Sequence, residues 1–133
     1  MRSTPILILA AALALACGSA EEEPPPAAPA PDVACTLEAR PAVTVQPVDR
    51  RTGQPVDGGT VLIVRDGLYA DTAAVAMGAP PAPISLSAAY ERPGTYTVIV
   101  RHPEYREWQH TAVVTKDVCH VQTVRLVAEL QRE

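Results

Sequence analysis

The stretch Thr95-Tyr96-Thr97-Val98-Ile99-Val100-Arg101 decides how this chain is read. Successive side chains of an extended strand point to opposite sides, so Tyr96, Val98 and Val100 share one face while Thr95, Thr97 and Arg101 share the other, with Ile99 the exception. That alternation predicts a strand half-buried against a core. Upstream, Arg92-Pro93-Gly94 supplies a turn and residues 84–90 a short strand with Ile84, Leu86 and Ala88 on one face. Residues 77–83, MGAPPAP, form a loop on composition alone. Downstream, HPEYRE leads into a strand over residues 108–115, Lys116-Asp117 makes a turn, and residues 118–130 form the last strand, with Val124, Leu126, Ala128 and Leu130 alternating inward.

The same alternation extends toward the N-terminus. Residues 42–48 place Val43 and Val45 together, and residues 49–59 (DRRTGQPVDGG) concentrate Asp, Gly and Pro, whose backbone preferences suit turns. Strands follow over 60–65 and 68–76, separated by Asp66-Gly67. About seven short strands with turn signals between them, and no stretch of helical period, predict an all-β chain folded as a sandwich. The chain has 133 residues, enough for one domain. Its aromatic content is 4 %, with no Phe, so the core must come from Val, Leu, Ile and Ala. The formal net charge is −4, and loss of Arg2 with a leader makes it more negative. Phosphate backbones are held by positive charge, so nucleic acid is not an expected partner.

Residues 1–17, MRSTPILILAAALALAC, carry one positive charge and then an uncharged apolar run over residues 6–16. Eleven residues fall short of the ~20 that span a bilayer as a helix, so residues 1–16 are predicted to be a signal peptide. Ala14-Leu15-Ala16-Cys17 resembles a bacterial lipobox, which implies cleavage before Cys17 and acylation of its thiol. The alternative is an ordinary secretory leader with Cys17 incidental. Two or three acyl chains, at about 0.8 kcal/mol per buried methylene, anchor a soluble domain stably. The expected partner is then the membrane itself, through the lipid. Gly18 after the cysteine, by resemblance to sorted lipoproteins, implies the outer membrane of a two-membrane cell envelope.

Residues 17–32 continue as a Pro/Glu-rich tether with prolines at 24, 25, 26, 29 and 31 and nothing beyond Gly18 more apolar than Ala. Such a segment buries no core and is expected to be a disordered spacer; as polyproline II it would reach about 45 Å. A proline motif docking into a partner is the competing reading. The folded domain is expected over residues 33–133.

Within it, Asp49-x-x-Thr52-Gly53-x-Pro55-Val56, then Pro93-Gly94-x-Tyr96-x-Val98-x-Val100, then His102-Pro103-x-Tyr105, resemble the carboxypeptidase regulatory-like domain over residues 39–130. The resemblance implies a Greek-key, transthyretin-like sandwich and a non-catalytic accessory role. It carries no active site.

With Cys17 assigned to lipid, Cys35 and Cys119 remain, and an extracytoplasmic address predicts a disulfide between them. Closing a loop of about 85 residues would add about 4 to 5 kcal/mol in the chain-entropy model. A metal site using Cys119 and His120 competes, but adjacent ligands suit one tetrahedral ion poorly.

His102, Glu104, His110 and His120, with Asp117, are the remaining residues arguable as metal ligands, and polar residues on a sandwich rim are the other reading. Ser85 and Ser87 are expected inside a strand, with no Gly-x-Ser-x-Gly elbow around them, and the glycines open no phosphate-binding helix. Asp57, Asp66 and Asp71 read as turn residues or as carboxylates converging on one edge. No catalytic residue, cofactor or metal is assigned. Tyr69, Tyr105 and Trp108 are the candidate ligand-binding residues, able to stack on a sugar or anchor a protein contact, although Trp108 also falls in phase with the apolar Ala112 and Val114. The expected role is an accessory module contacting an envelope protein or a surface polysaccharide, with an exposed strand edge as one means of attachment.

Overall fold

A computed structural model describes residues 32–56, 58–78 and 84–133. The chain divides between Asp32 and Val33, and the strands of the described residues lie in the second unit, Val33–Glu133. The expected leader with Cys17, the expected tether up to Pro31, Asp57, and residues 79–83 of the expected 77–83 loop lie outside the described residues.

Among the described residues seven strands form: β1 Pro41–Asp49, β2 Val61–Asp66, β3 Tyr69–Ala74, β4 Leu86–Tyr90, β5 Gly94–His102, β6 Tyr105–Val114 and β7 Val124–Leu130. They make an all-β sandwich of two sheets, a three-stranded one in the order β4-β1-β7 and a four-stranded one in the order β3-β2-β5-β6. β1 and β7 pair in parallel, Val43 opposite Val124 through Asp49 opposite Leu130, and every other pairing is antiparallel. A parallel pair requires a connection that leaves the sheet, and here the chain between β1 and β7 passes through the facing sheet.

The alternation in β5 is realised as expected. Tyr96, Val98 and Val100 are fully buried beside Leu62 and Val64 of β2, facing Val43, Val45, Leu86, Ala88, Ala128 and Leu130 from the other sheet. Ile99 points the opposite way yet is buried, because Ile63 and Gln109 flank it across the outer face.

Most boundaries differ from the sequence reading by one or two residues, and two differ by three or more. β6 starts at Tyr105, three residues earlier, because a register shift between Val100 and His102 lets His102 pair with Tyr105 across a tight turn. β7 starts only at Val124: residues 118–120 are used in a local loop closed by the Lys116–Val121 bridge and by the Asp117 carboxylate. Ser85 precedes β4 instead of lying inside it.

Candidate functional site

The Asp49-x-x-Thr52-Gly53 stretch is a corner held by one carboxylate. Asp49 ends β1, and its Oδ1 accepts the backbone N–H groups of Arg51 and Thr52 at 2.9 and 3.0 Å. Its Oδ2 accepts the Tyr105 hydroxyl at 3.0 Å and Arg132 Nε at 3.3 Å. Gly53 turns the chain with φ +70°, a conformation costly for residues bearing a Cβ, and its N–H reaches the Asp49 carbonyl at 2.7 Å. The N–H of Thr52, then the Tyr105 hydroxyl, the N–H of Arg51 and the Arg132 guanidinium hold the Asp49 carboxyl far below the usual carboxylate range, against the opposing effect of burial. Burial, and then the bond to Asp49, push the Tyr105 hydroxyl up.

The other end of β1 is fastened covalently. Cys35 and Cys119 form a disulfide across 84 positions of sequence, with Cα atoms 5.3 Å apart. Beside it His120 is 8 % exposed, with Nδ1 2.9 Å from Glu91 Oε1 and Nε2 2.9 Å from Thr36 Oγ1. Glu91 Oε1 also accepts the Arg40 N–H at 2.7 Å, and that bond, followed by His120 and the N–H of Val121, lowers its pKa against burial. Asp117 Oδ1 takes the N–H groups of His120 and Cys119, both at 2.8 Å, which lower its pKa in that order.

The three aromatic candidates do not meet. Tyr69 and Tyr105 lie on the two edge strands of one sheet, and at opposite ends of it, since Tyr69 pairs with Asp66 while Tyr105 pairs with His102, beyond the Arg101–Val61 pair. Tyr105 is 6 % exposed with its hydroxyl consumed by Asp49, and Tyr69 packs against Tyr96 under the Arg92 guanidinium, 4.2 Å from its ring centroid. Trp108 packs partly against the core and stacks on His110 with centroids 5.7 Å apart.

The histidines also go to separate places. His102 accepts the Glu104 N–H at Nδ1, which leaves Nε2 to donate to the Gly58 carbonyl at 3.0 Å. His110 stacks on Trp108, and His120 belongs to the disulfide end. Among the described residues no three His, Cys, Asp or Glu side chains come together as a metal site. Asp66 pairs with Arg92 at 3.3 Å, and Asp71 Oδ2 accepts the N–H of Ala89, whose φ is +58°, so each of these two carboxylates has a partner of its own.

Comparison with protein-family models, with curated proteins and with solved structures finds no match. The geometry therefore carries the functional argument alone. A cleft of about 440 Å³ lies at the Asp49 corner, bounded by Asp49, Arg50, Arg51, Leu130, Gln131 and Arg132. Sequence reasoning missed it. The Asp-x-x-Thr-Gly motif marked one wall as a turn, but nothing in the sequence brings Arg132 to that turn from 83 positions away.

Proposed function

We propose that this chain is a bacterial lipoprotein, anchored through Cys17, whose Val33–Glu133 sandwich is a non-catalytic binding or structural module of the cell envelope. The observation that carries this reading is the Cys35–Cys119 disulfide, because such bonds persist in oxidising compartments, the destination to which the apolar leader points. The polar chemistry supports the non-catalytic part. Asp49, Asp71, Glu91 and Asp117 each bind backbone N–H groups, and the buried Tyr105 and His120 are bonded to Asp49 and Glu91, so these groups serve to hold the chain together. The sequence after Cys17 favours the outer membrane and a proline-rich spacer between lipid and domain.

Intact mass of the protein extracted from bacterial membranes tests the reading. The expected species begins at Cys17, carries acyl mass, and shows Cys35 and Cys119 blocked to alkylation until reduced. A chain with unmodified Cys17 and free thiols would remove the anchored reading. Carbohydrate binding is the second reading and rests on Trp108, the one candidate aromatic that is only partly buried against the core and stacks on a neighbouring ring, His110, at the sheet edge. Oligosaccharides that quench or shift Trp108 fluorescence would favour it.

A further inference from the structure

The cleft at the Asp49 corner has the construction of an oxyanion site. Its walls carry three arginines and one carboxylate, and that carboxylate is already saturated: both Asp49 oxygens accept two hydrogen bonds each. Arg132 is oriented by Asp49, by Glu104 at 3.9 Å and by the Tyr105 ring 5.0 Å from its guanidinium carbon. Arg50 and Arg51 are exposed and, like Arg65, Arg106 and Arg125 elsewhere on the surface, have no carboxylate partner among the described residues; unlike those three, they stand side by side on the wall of a cleft that a third arginine also lines.

The backbone under Arg50 and Arg51 is fixed. Arg50 N–H donates to the Leu130 carbonyl at 2.9 Å, Arg51 N–H to the Asp49 carboxylate, Gly53 N–H to the Asp49 carbonyl and Asp49 N–H to the Gln54 carbonyl at 2.8 Å. Fixing the positions from which two guanidinium groups project lowers the ordering cost of binding, leaving mainly side-chain freedom to be lost. Guanidinium forks match carboxylate and phosphate oxygens in pairs. Gln131 adds an amide able to donate and accept, which suits a hydroxyl-bearing ligand.

We propose that this cleft binds an oxyanion, carboxylate or phosphate, carried on a sugar or polyol polymer of the cell surface, with Arg50 and Arg51 as the binding residues and Arg132 as the third cation. The proposal rests on the binding-module reading and names its ligand class. Local charge drives it, since the whole chain is acidic and would otherwise repel polyanions.

The test uses the full chain extracted in neutral detergent, titrated with polygalacturonate, with poly(glycerol phosphate), with neutral dextran and with poly-glutamate. The expected result is saturable binding of one or both of the first two, none of dextran, and weaker binding of poly-glutamate. Which of the first two binds more tightly identifies the anionic group. The double variant Arg50→Gln/Arg51→Gln should weaken that binding by at least about ten-fold, the loss of charge-assisted bonds, without moving the thermal midpoint. Arg65→Gln, an exposed arginine in β2 outside the cleft, should leave it unchanged. Equal losses in both variants, no binding to either sugar or polyol polymer, or tighter binding of poly-glutamate would each overturn the proposal. Acyl mass on Cys17 is read from the same preparation, so failure of the cleft and failure of the anchored reading are separate results.

Discussion

The two ends of β1 solve one problem with different chemistry. At its start the chain is closed by the Cys35–Cys119 disulfide, with Glu91 and Asp117 gathering backbone amides around it. At its end Asp49 gathers the β1–β2 turn, the start of β6 and Arg132 without any covalent link. A disulfide acts largely by limiting the unfolded chain, whereas a carboxylate hub acts only while the folded geometry exists. The stapled end should therefore be the one sensitive to reductant, while acid should weaken both ends and the Asp49 corner most, since the carboxyls of Glu91 and Asp117 are lowered too but Asp49 is held furthest below its ordinary value.

Breaking the staple should have the largest effect. Cys35→Ser, or reduction of the wild-type chain, is expected to cost about 4 to 5 kcal/mol in urea unfolding, the entropy of a loop spanning 84 positions. Native-state hydrogen exchange should show the amides of Cys119 and His120 losing protection relative to those of Arg51 and Thr52, because only the former sit beside the bond that was cut. Equal loss at both ends would mean that the two regions open as one unit.

Next is Tyr105→Phe, which removes one donor from the Asp49 carboxylate and should cost about 1.5 to 3 kcal/mol at neutral pH. Its pH dependence sharpens the contrast. The Asp49 carboxyl titrates lower in the folded chain than its ordinary 3.8, so its contribution is complete above 3.8 and is lost as the pH falls below that value. The Phe variant, holding Asp49 less strongly, should unfold at higher pH than wild type in an acid titration followed by circular dichroism. Gly53→Ala should cost about 1 kcal/mol through its positive φ alone, since no atom lies within contact of the added Cβ. The smallest effect belongs to Arg101→Gln, which breaks an exposed ion pair with Glu107 and should change stability by less than about 1 kcal/mol in the same assay.

Legibility in the sequence followed the range of the interaction. The face of β5 was readable because alternation is a local consequence of strand geometry, and Ile99 stood out because its cover comes from Ile63, 36 positions earlier in β2. Val118 read as strand on composition, yet the Asp117 side chain offers the next amides a local partner and bends the chain into a loop. Tyr105 read as a binding aromatic because exposure is not local: the Asp49 that consumes its hydroxyl lies 56 positions away.

By itself, then, the sequence determined the all-β class and the turns, since these follow from side-chain period and backbone preference. The tertiary structure alone decided that β1 and β7 run in parallel, that Asp49 meets Tyr105 and Arg132, and that Arg50, Arg51 and Arg132 border one cleft. Those contacts join residues far apart in the chain, and they form only when the burial of the two sheet faces brings the strand ends together.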